Sequence, residues 1–158
     1  MRDIDLGALP LNNLLTLRLA IDAEISARGY SRTNSSLAGE LMERAVATSY
    51  DGTLTAVGTK SVDVVAGDGR RLQVKVRFLP AGDLRHWAFR DLDFDAAIVV
   101  SMDRETFAIN WARELSHIEV VALARPHNSD GWRVRMAPAQ HVGVDVTDRL
   151  RLTYSQLR

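Results

Sequence analysis

Residues 61–78 decide the fold, and they read SVDVVAGDGRRLQVKVRF. Apolar and polar side chains alternate over residues 70–78, which predicts a β-strand with one apolar and one polar face. Residues 61–66 are predicted to form a second strand beside it. The Gly-Asp-Gly sequence at residues 67–69 predicts the hairpin turn that joins the two strands.

The length of this turn determines which side chains share a face of the hairpin. A three-residue loop pairs Asp63 with Gln73, and therefore brings Asp63, Gln73 and Lys75 to one face. A two-residue loop would pair Asp63 with Val74 and bury the carboxylate among apolar side chains, which is costly without a partner. We therefore predict the three-residue register, with Gly69 supplying the left-handed conformation that such a loop needs.

Two helices are predicted before the hairpin. Residues 11–28 form a run without Pro or Gly that has a broad apolar face. The second helix, residues 36–48, carries Glu40 and Glu43 at neighbouring positions of its surface. Either glutamate could supply a carboxylate to the hairpin, and we prefer Glu40.

The rest of the chain predicts an α/β fold with a mixed sheet flanked by helices. Residues 96–101 are apolar without alternation, which indicates a central strand buried on both faces. The further expectations are a strand at 53–57, a loop at 80–95, a strand at 106–111, a helix at 113–124, a strand at 132–136 and an end segment at 146–157 that is either helix or strand.

The polar face of the hairpin has the side chains that phosphodiester hydrolysis requires. A divalent metal must neutralise the phosphate, and a water must be positioned and deprotonated. Mg²⁺ prefers carboxylate and carbonyl oxygens, which Asp63, the Gln73 side chain and the Val74 main chain could supply. Lys75 would orient the water or stabilise the phosphate charge. Glu40 could hold a metal-bound water or a second ion.

These residues resemble the motif of the PD-(D/E)xK nuclease superfamily, which includes many type II restriction endonucleases and archaeal Holliday-junction resolvases. The similarity lies in Glu40 on a helix, then Asp63, then Gln73-x-Lys75 on a hairpin, and it covers about residues 34–101. The resemblance implies a restriction endonuclease-like sheet with Mg²⁺ or Mn²⁺ at the strand carboxylates. It implies that Asp63 is the metal ligand, Lys75 the catalytic lysine and Glu40 the helix glutamate.

The domain organisation follows from the same resemblance. One nuclease-like domain is expected over residues 1–158, with the helix at 11–28 before its core and residues 102–158 as an elaboration. DNA is the expected partner, and a homodimer would provide two sites for cutting two strands.

Two positions depart from the family motif and leave other functions open. Val62 stands where the motif has proline, and Gln73 stands where it has an acid, so that Gln73 contributes no charge to a metal site. A binding module that kept the fold without efficient chemistry is therefore the main alternative. An immunity or interaction protein with a structural sheet is a third.

Composition excludes several classes of protein and site. The chain has 158 residues and no cysteine, so disulfides and thiolate zinc sites are excluded. It has no signal-like start and no apolar run long enough for a membrane span, so a cytoplasmic location without membrane contact is expected. Net charge is zero, which weakens simple charge-driven DNA binding. Six basic residues nevertheless lie close together in sequence, and a local basic face is possible: Arg70, Arg71, Lys75, Arg77, Arg85 and Arg90.

Overall fold

The computed structural model describes residues 4–31, 36–80 and 82–157, so residues 34 and 35 of the predicted core lie outside the described residues. Its elements are α1 (Leu11–Ala27), α2 (Leu37–Ser49), β1 (Thr53–Leu54), β2 (Val64–Val65), β3 (Arg71–Leu79), β4 (His86–Phe89), β5 (Ala96–Asp103), β6 (Ile109–Ser116), α3 (His117–Leu123), β7 (Arg125–His127), β8 (Gly131–Arg135), α4 (Met136–Ala139), β9 (Val144–Asp145) and α5 (Thr147–Ser155).

The main sheet has six strands in the order β1-β2-β3-β5-β6-β9. Strands β3 and β5 are parallel, and the other neighbours are antiparallel. The predicted α/β fold with a mixed sheet flanked by helices is therefore confirmed. The register between β3 and β5 sets Gln73 beside Ala97 and Lys75 beside Val99, so these polar side chains start from the centre of the sheet.

Two cores lie on opposite faces of this sheet, and β5 contributes to both, which confirms that it is a buried central strand. On one face, helices α2 and α5 cover the apolar side of β3, with Leu72 and Val74 in the core. On the other face, a second sheet in the order β4-β8-β7 covers Ala97 and Val99, and Trp87 and Phe89 from β4 fill the space between. Gln73 and Lys75 belong to this second face because side chains alternate along β3.

The hairpin has the predicted three-residue register. Val64 lies opposite Leu72, and the Ala66 N–H donates to the Arg70 carbonyl at 2.9 Å. Gly69 has a φ of 85°, a left-handed conformation that glycine adopts without steric cost.

The prediction of a loop over residues 80–95 was wrong in one part. Four residues of this segment, 86–89, form β4, which pairs with β8 rather than with a neighbour in sequence. Trp87 and Phe89 point into the core and His86 points outward, as expected for a strand with one buried face. The many charged residues around this short strand concealed its alternation.

Other boundaries also differ from prediction. The helix predicted at 113–124 begins only at His117, because Ser116 and Glu119 form a capping box there. Residues before Ser116 extend β6, whose partner is β5. Strands β1 and β2 have two residues each and are shorter than predicted. The end segment, left open from the sequence, contains the helix α5.

Helix α1 has the predicted extent but not a buried apolar face. Leu11, Leu19 and Ile21 are 71%, 70% and 50% exposed. These side chains therefore remain outside both cores of the chain. Among the described residues, no helix combines the length and apolar character needed to cross a membrane.

Candidate active site

A cavity of about 560 Å³ lies where β2 and β3 separate, on the face of the main sheet that meets the second sheet. It brings together Asp63, Gln73 and Lys75, three of the residues that the sequence predicted. Lys60 and Arg90 add positive charge to the same walls. The predicted convergence of an acid, an amide and an amine is therefore present in the folded chain.

Asp63 is held at the point where β2 begins. Its own N–H donates to the Leu72 carbonyl at 2.9 Å. Its carboxylate oxygen Oδ2 accepts the Val74 main-chain N–H at 2.7 Å. Because β2 begins only after Asp63, this carboxylate takes the place that a strand partner would occupy beside Val74. The acid is thus fixed by the main chain of the next strand.

Gln73 contributes a second bond to the same carboxylate oxygen. Its side-chain Nε2 donates to Asp63 Oδ2, and the residue is buried. In this arrangement the amide nitrogen, and not the amide oxygen, faces the carboxylate. The amide must rotate about its last side-chain bond before Gln73 Oε1 and Asp63 can bind one metal ion.

Lys75 reaches the cavity beside an aromatic ring. Its Nζ lies 5.3 Å from the centroid of the Phe89 ring, within the range of a cation–π contact. Burial lowers the pKa of Lys75 below the usual lysine value, while the negative charge of Asp63 opposes that effect and Arg90 adds to it. The ammonium group is therefore poorly hydrated, and it is electrostatically coupled to Asp63.

Glu40 lies in the first turn of α2 and is only 6% exposed. Its neighbours Ala38 and Met42 pack in the core on the Leu72 side of the sheet. Glu40 is not among the described residues that line the cavity. Its metal role remains a prediction, as does the alternative role of Glu43, which is half-buried on the same helix.

The donors around Asp63 fit Mg²⁺ only in part. Among the described residues, no group of three or more His, Cys, Asp or Glu is placed to hold a metal ion. The available oxygens are those of Asp63, the Gln73 amide after rotation, and the Val74 carbonyl. In an extended strand the N–H and C=O of one residue face the same neighbour, so the Val74 carbonyl lies on the Asp63 side. Such a set suits an ion that keeps waters and binds a substrate phosphate.

The sequence reading overlooked Lys60 and Asp130, which line the same cavity. One signal could have identified Lys60. The chain contains two lysines, Lys60 and Lys75, and its other side chains with a permanent positive charge are arginines. Asp130 comes from the turn before β8, and no local pattern connects it with the hairpin.

The acidic pair Asp93 and Asp95, just before β5, bonds to Arg71 of β3. Arg71 donates to Asp93 at 3.0 Å and to Asp95 at 3.3 Å. Asp95 also accepts the Arg71 main-chain N–H at 2.7 Å. These acids therefore fix the entry to β5 beside β3.

Comparison of the sequence with protein-family models gives no match, and comparison with curated proteins gives none either. The roles of Asp63, Gln73 and Lys75 consequently depend on their chemistry and on the geometry of the cavity.

Proposed function

We propose that this chain is a metal-dependent endonuclease that hydrolyses phosphodiester bonds in DNA, with a restriction endonuclease-like arrangement of its site. The observation that carries the proposal is the shared cavity of Asp63, Gln73 and Lys75, in which the main-chain N–H of Val74 fixes the carboxylate. A carboxylate, an amide and an ammonium group on one wall are the elements needed for metal-assisted attack on a phosphate.

Each residue has a distinct task in the proposed reaction. Mg²⁺ or Mn²⁺, when bound, would act as a Lewis acid toward the phosphate and lower the pKa of a bound water. Asp63 would hold the ion, with the Gln73 amide oxygen and the Val74 carbonyl as neutral ligands. Lys75 would donate hydrogen bonds to a phosphate oxygen or to the attacking water. Its low hydration strengthens either interaction, because fewer waters compete for the ammonium protons.

The test is cleavage of a supercoiled plasmid and of a labelled DNA duplex, with Mg²⁺ or Mn²⁺ and with EDTA. Asp63→Asn and Lys75→Ala are expected to lower the cleavage rate by about 100-fold or more. Asp148→Asn is the matched control, since the Asp148 side chain is 95% exposed on α5. Metal-independent cleavage, or equal rates in all three variants, would reject the proposal.

A second candidate is a binding module of the same fold without efficient turnover. The observation that favours it is the neutral Gln73, whose amide nitrogen satisfies Asp63 in the absence of a metal. This candidate predicts DNA binding that does not require divalent metal and no cleavage by the wild-type chain. Metal binding measured together with cleavage would exclude it.

A homodimer in the cytoplasm is part of the proposal. Cutting both strands of a duplex requires two sites, and two-fold symmetry would provide them. The exposed apolar side chains of α1, such as Leu19 and Ile21, support a partner surface on that helix. Light scattering after size exclusion tests this, because Leu19→Glu should yield a monomer if α1 forms the interface.

A further inference from the structure

A second cavity, of about 650 Å³, lies on the outer face of the second sheet, β4-β8-β7. We call it the arginine cavity, because its polar walls are formed by four arginines and two histidines. These residues are Arg85, Arg125, Arg133, Arg135, His86 and His127. Among the described residues that line it, none is acidic.

Strand register is what brings these cations together. Arg125 of β7 lies directly opposite Arg133 of β8, and Arg135 lies opposite His86 of β4. Outward-facing residues of three adjacent strands therefore form one basic surface, while Trp87 and Val134 point into the core. Like charges directly opposite each other destabilise a sheet. A pair such as Arg125 and Arg133 therefore costs folding stability unless anions lie beside it.

Neighbouring carboxylates neutralise only part of this charge. Asp130 accepts from Arg133 Nε at 2.5 Å, and Asp83 lies 3.1 Å from Arg85. Arg125 instead donates to main-chain carbonyls, at 3.1 Å and 2.8 Å. Within the described ranges the guanidinium of Arg135 forms no hydrogen bond or ion pair. Two guanidinium groups therefore keep their charge without a carboxylate.

Groups at the edge of the cavity respond to this positive field. Burial lowers the pKa of His86, the nearby Arg133 and Arg77 lower it further, and Asp130 opposes these effects. Burial also lowers the pKa of Arg77, with a further contribution from Arg85. For both groups burial is the largest cause of the lowered pKa, and the neighbouring arginines add to it.

Asp130 connects the two cavities of the molecule. It lines the cavity of Asp63 and Lys75, and it bonds to Arg133 of the arginine cavity. The two cavities are thus adjacent, on either side of one carboxylate. A strand that occupied both would place phosphates over arginines while a neighbouring phosphate lay near Lys75.

We propose that the arginine cavity binds backbone phosphates of a DNA strand and directs that strand into the cavity of Asp63. The identity of the polyanion rests on the proposed function, whereas the anion site follows from the arginines themselves. Guanidinium groups suit this ligand, because their planar donors match phosphate oxygens in pairs.

The experiment measures the affinity of a fluorescein-labelled DNA duplex by fluorescence anisotropy in EDTA, over a range of salt concentrations. The Arg125→Gln/Arg135→Gln double variant should bind DNA at least about tenfold more weakly. The slope of the logarithm of its binding constant against the logarithm of salt concentration should decrease by the equivalent of about two phosphate contacts. Arg125→Lys/Arg135→Lys should recover part of the affinity, which a purely structural role would not predict.

Matched controls exist elsewhere on the surface. Arg151 also donates to main-chain carbonyls, and in addition to Asp148 at 3.2 Å. The Arg104 side chain, like that of Arg135, has no partner among the described residues. The Arg104→Gln/Arg151→Gln variant should therefore bind DNA within about twofold of wild type. Equal weakening in both double variants, or no DNA binding by wild type at low salt, would overturn the proposal. Binding of inorganic pyrophosphate by a protein that has no affinity for DNA would also overturn it.

The result can be separated from that of the nuclease proposal. Asp63→Asn is expected to retain DNA affinity, because it leaves the arginines intact. Binding that depends on Arg125 and Arg135, in a protein that never cleaves DNA, would support the arginine cavity and reject the nuclease. Metal-dependent cleavage by the wild-type chain, together with unchanged DNA binding by the Arg125→Gln/Arg135→Gln variant, would support the nuclease and reject the arginine cavity.

Discussion

The ammonium group of Lys75 lies 5.3 Å from the centroid of the Phe89 ring. This contact joins β3 of the main sheet to β4 of the second sheet at the candidate site. Phe89 is fully buried, so this contact removes water from one side of the amine. Lys75 therefore combines a low degree of hydration with an acidic neighbour, Asp63.

The titration of Lys75 should reflect this environment. Its pKa is expected below the usual lysine value, and Asp63→Asn should lower it further, because Asp63 stabilises the charged amine. NMR of dimethylated lysines measures this directly, since the chain has two lysines, Lys60 and Lys75, and the α-amino group titrates at lower pH. Lys75→Arg assigns the resonance. A pKa for Lys75 at or above the usual value would contradict the burial of the amine.

The same shift makes a prediction about stability. The unfolded chain binds a proton at Lys75 more readily than the folded chain, so the free energy of unfolding should rise with pH between the lowered pKa and the usual lysine value. Below that interval the cost of charging the buried amine is fully present. Lys75→Met should remove this part of the pH dependence. Urea denaturation at several alkaline pH values measures it, with Lys60→Met as the comparison.

Asp63 should stabilise the fold as well as serve the site. Asp63→Ala leaves the Val74 N–H and the buried Gln73 amide without their acceptor, which is expected to cost about 1–3 kcal/mol. Asp63→Asn keeps an oxygen for one donor and should cost less. Chemical denaturation of both variants gives the comparison, and equal stability of Asp63→Ala and wild type would show that the two bonds contribute nothing.

Gln73→Glu should exchange stability for metal affinity. A second carboxylate would replace the bond from Gln73 to Asp63 with repulsion, so the metal-free variant should unfold about 1–2 kcal/mol more easily. Mn²⁺ should bind it more tightly than wild type, and should raise its melting temperature more. Calorimetric titration measures the affinity, and a thermal scan with and without Mn²⁺ measures the melting temperature. Gln156→Glu, exposed near the chain end, is the control and should show neither change.

A hydrogen-bonded cluster at the other end of the hairpin should contribute to stability. The Tyr50 hydroxyl donates to Glu114 at 2.6 Å, and Arg70 donates to the same carboxylate. Tyr50→Phe is expected to cost about 1 kcal/mol of unfolding free energy. Tyr154→Phe is the control, since Tyr154 is a half-buried tyrosine on α5 outside this cluster. Burial and Glu114 raise the pKa of Tyr50, so the Tyr50 contribution should not vary across neutral pH.

Local patterns predicted the parts of the site that depend on one hairpin. Alternation along β3 and the turn glycines were sufficient to place Asp63 opposite Gln73, because register within a hairpin is set by the turn. The apolar run of β5 likewise predicted a strand buried on both faces. These features involve neighbours in sequence, or the burial of a single strand.

The second sheet could not be predicted in the same way. Strand β4 pairs with β8, whose residues are far along the chain, and neither strand has a local signal for its partner. The arginine cavity depends on that pairing in part, since it brings His86 opposite Arg135, whereas Arg125 meets Arg133 through the local pairing of β7 with β8. The position of Glu40 similarly depends on how α2 packs on the sheet, which no spacing within the helix determines.

The remote pairing of β4 with β8 also has a consequence for how the molecule assembles. The turn that unites Asp63 with Gln73 closes over a short loop, whereas the sheet carrying the arginines requires segments separated by a long stretch of chain, and such distant closures are slow. During synthesis, the acid–amide pair would thus exist before the residues that surround it have left the ribosome. The chain would complete the walls of its two cavities only at the last stage of folding.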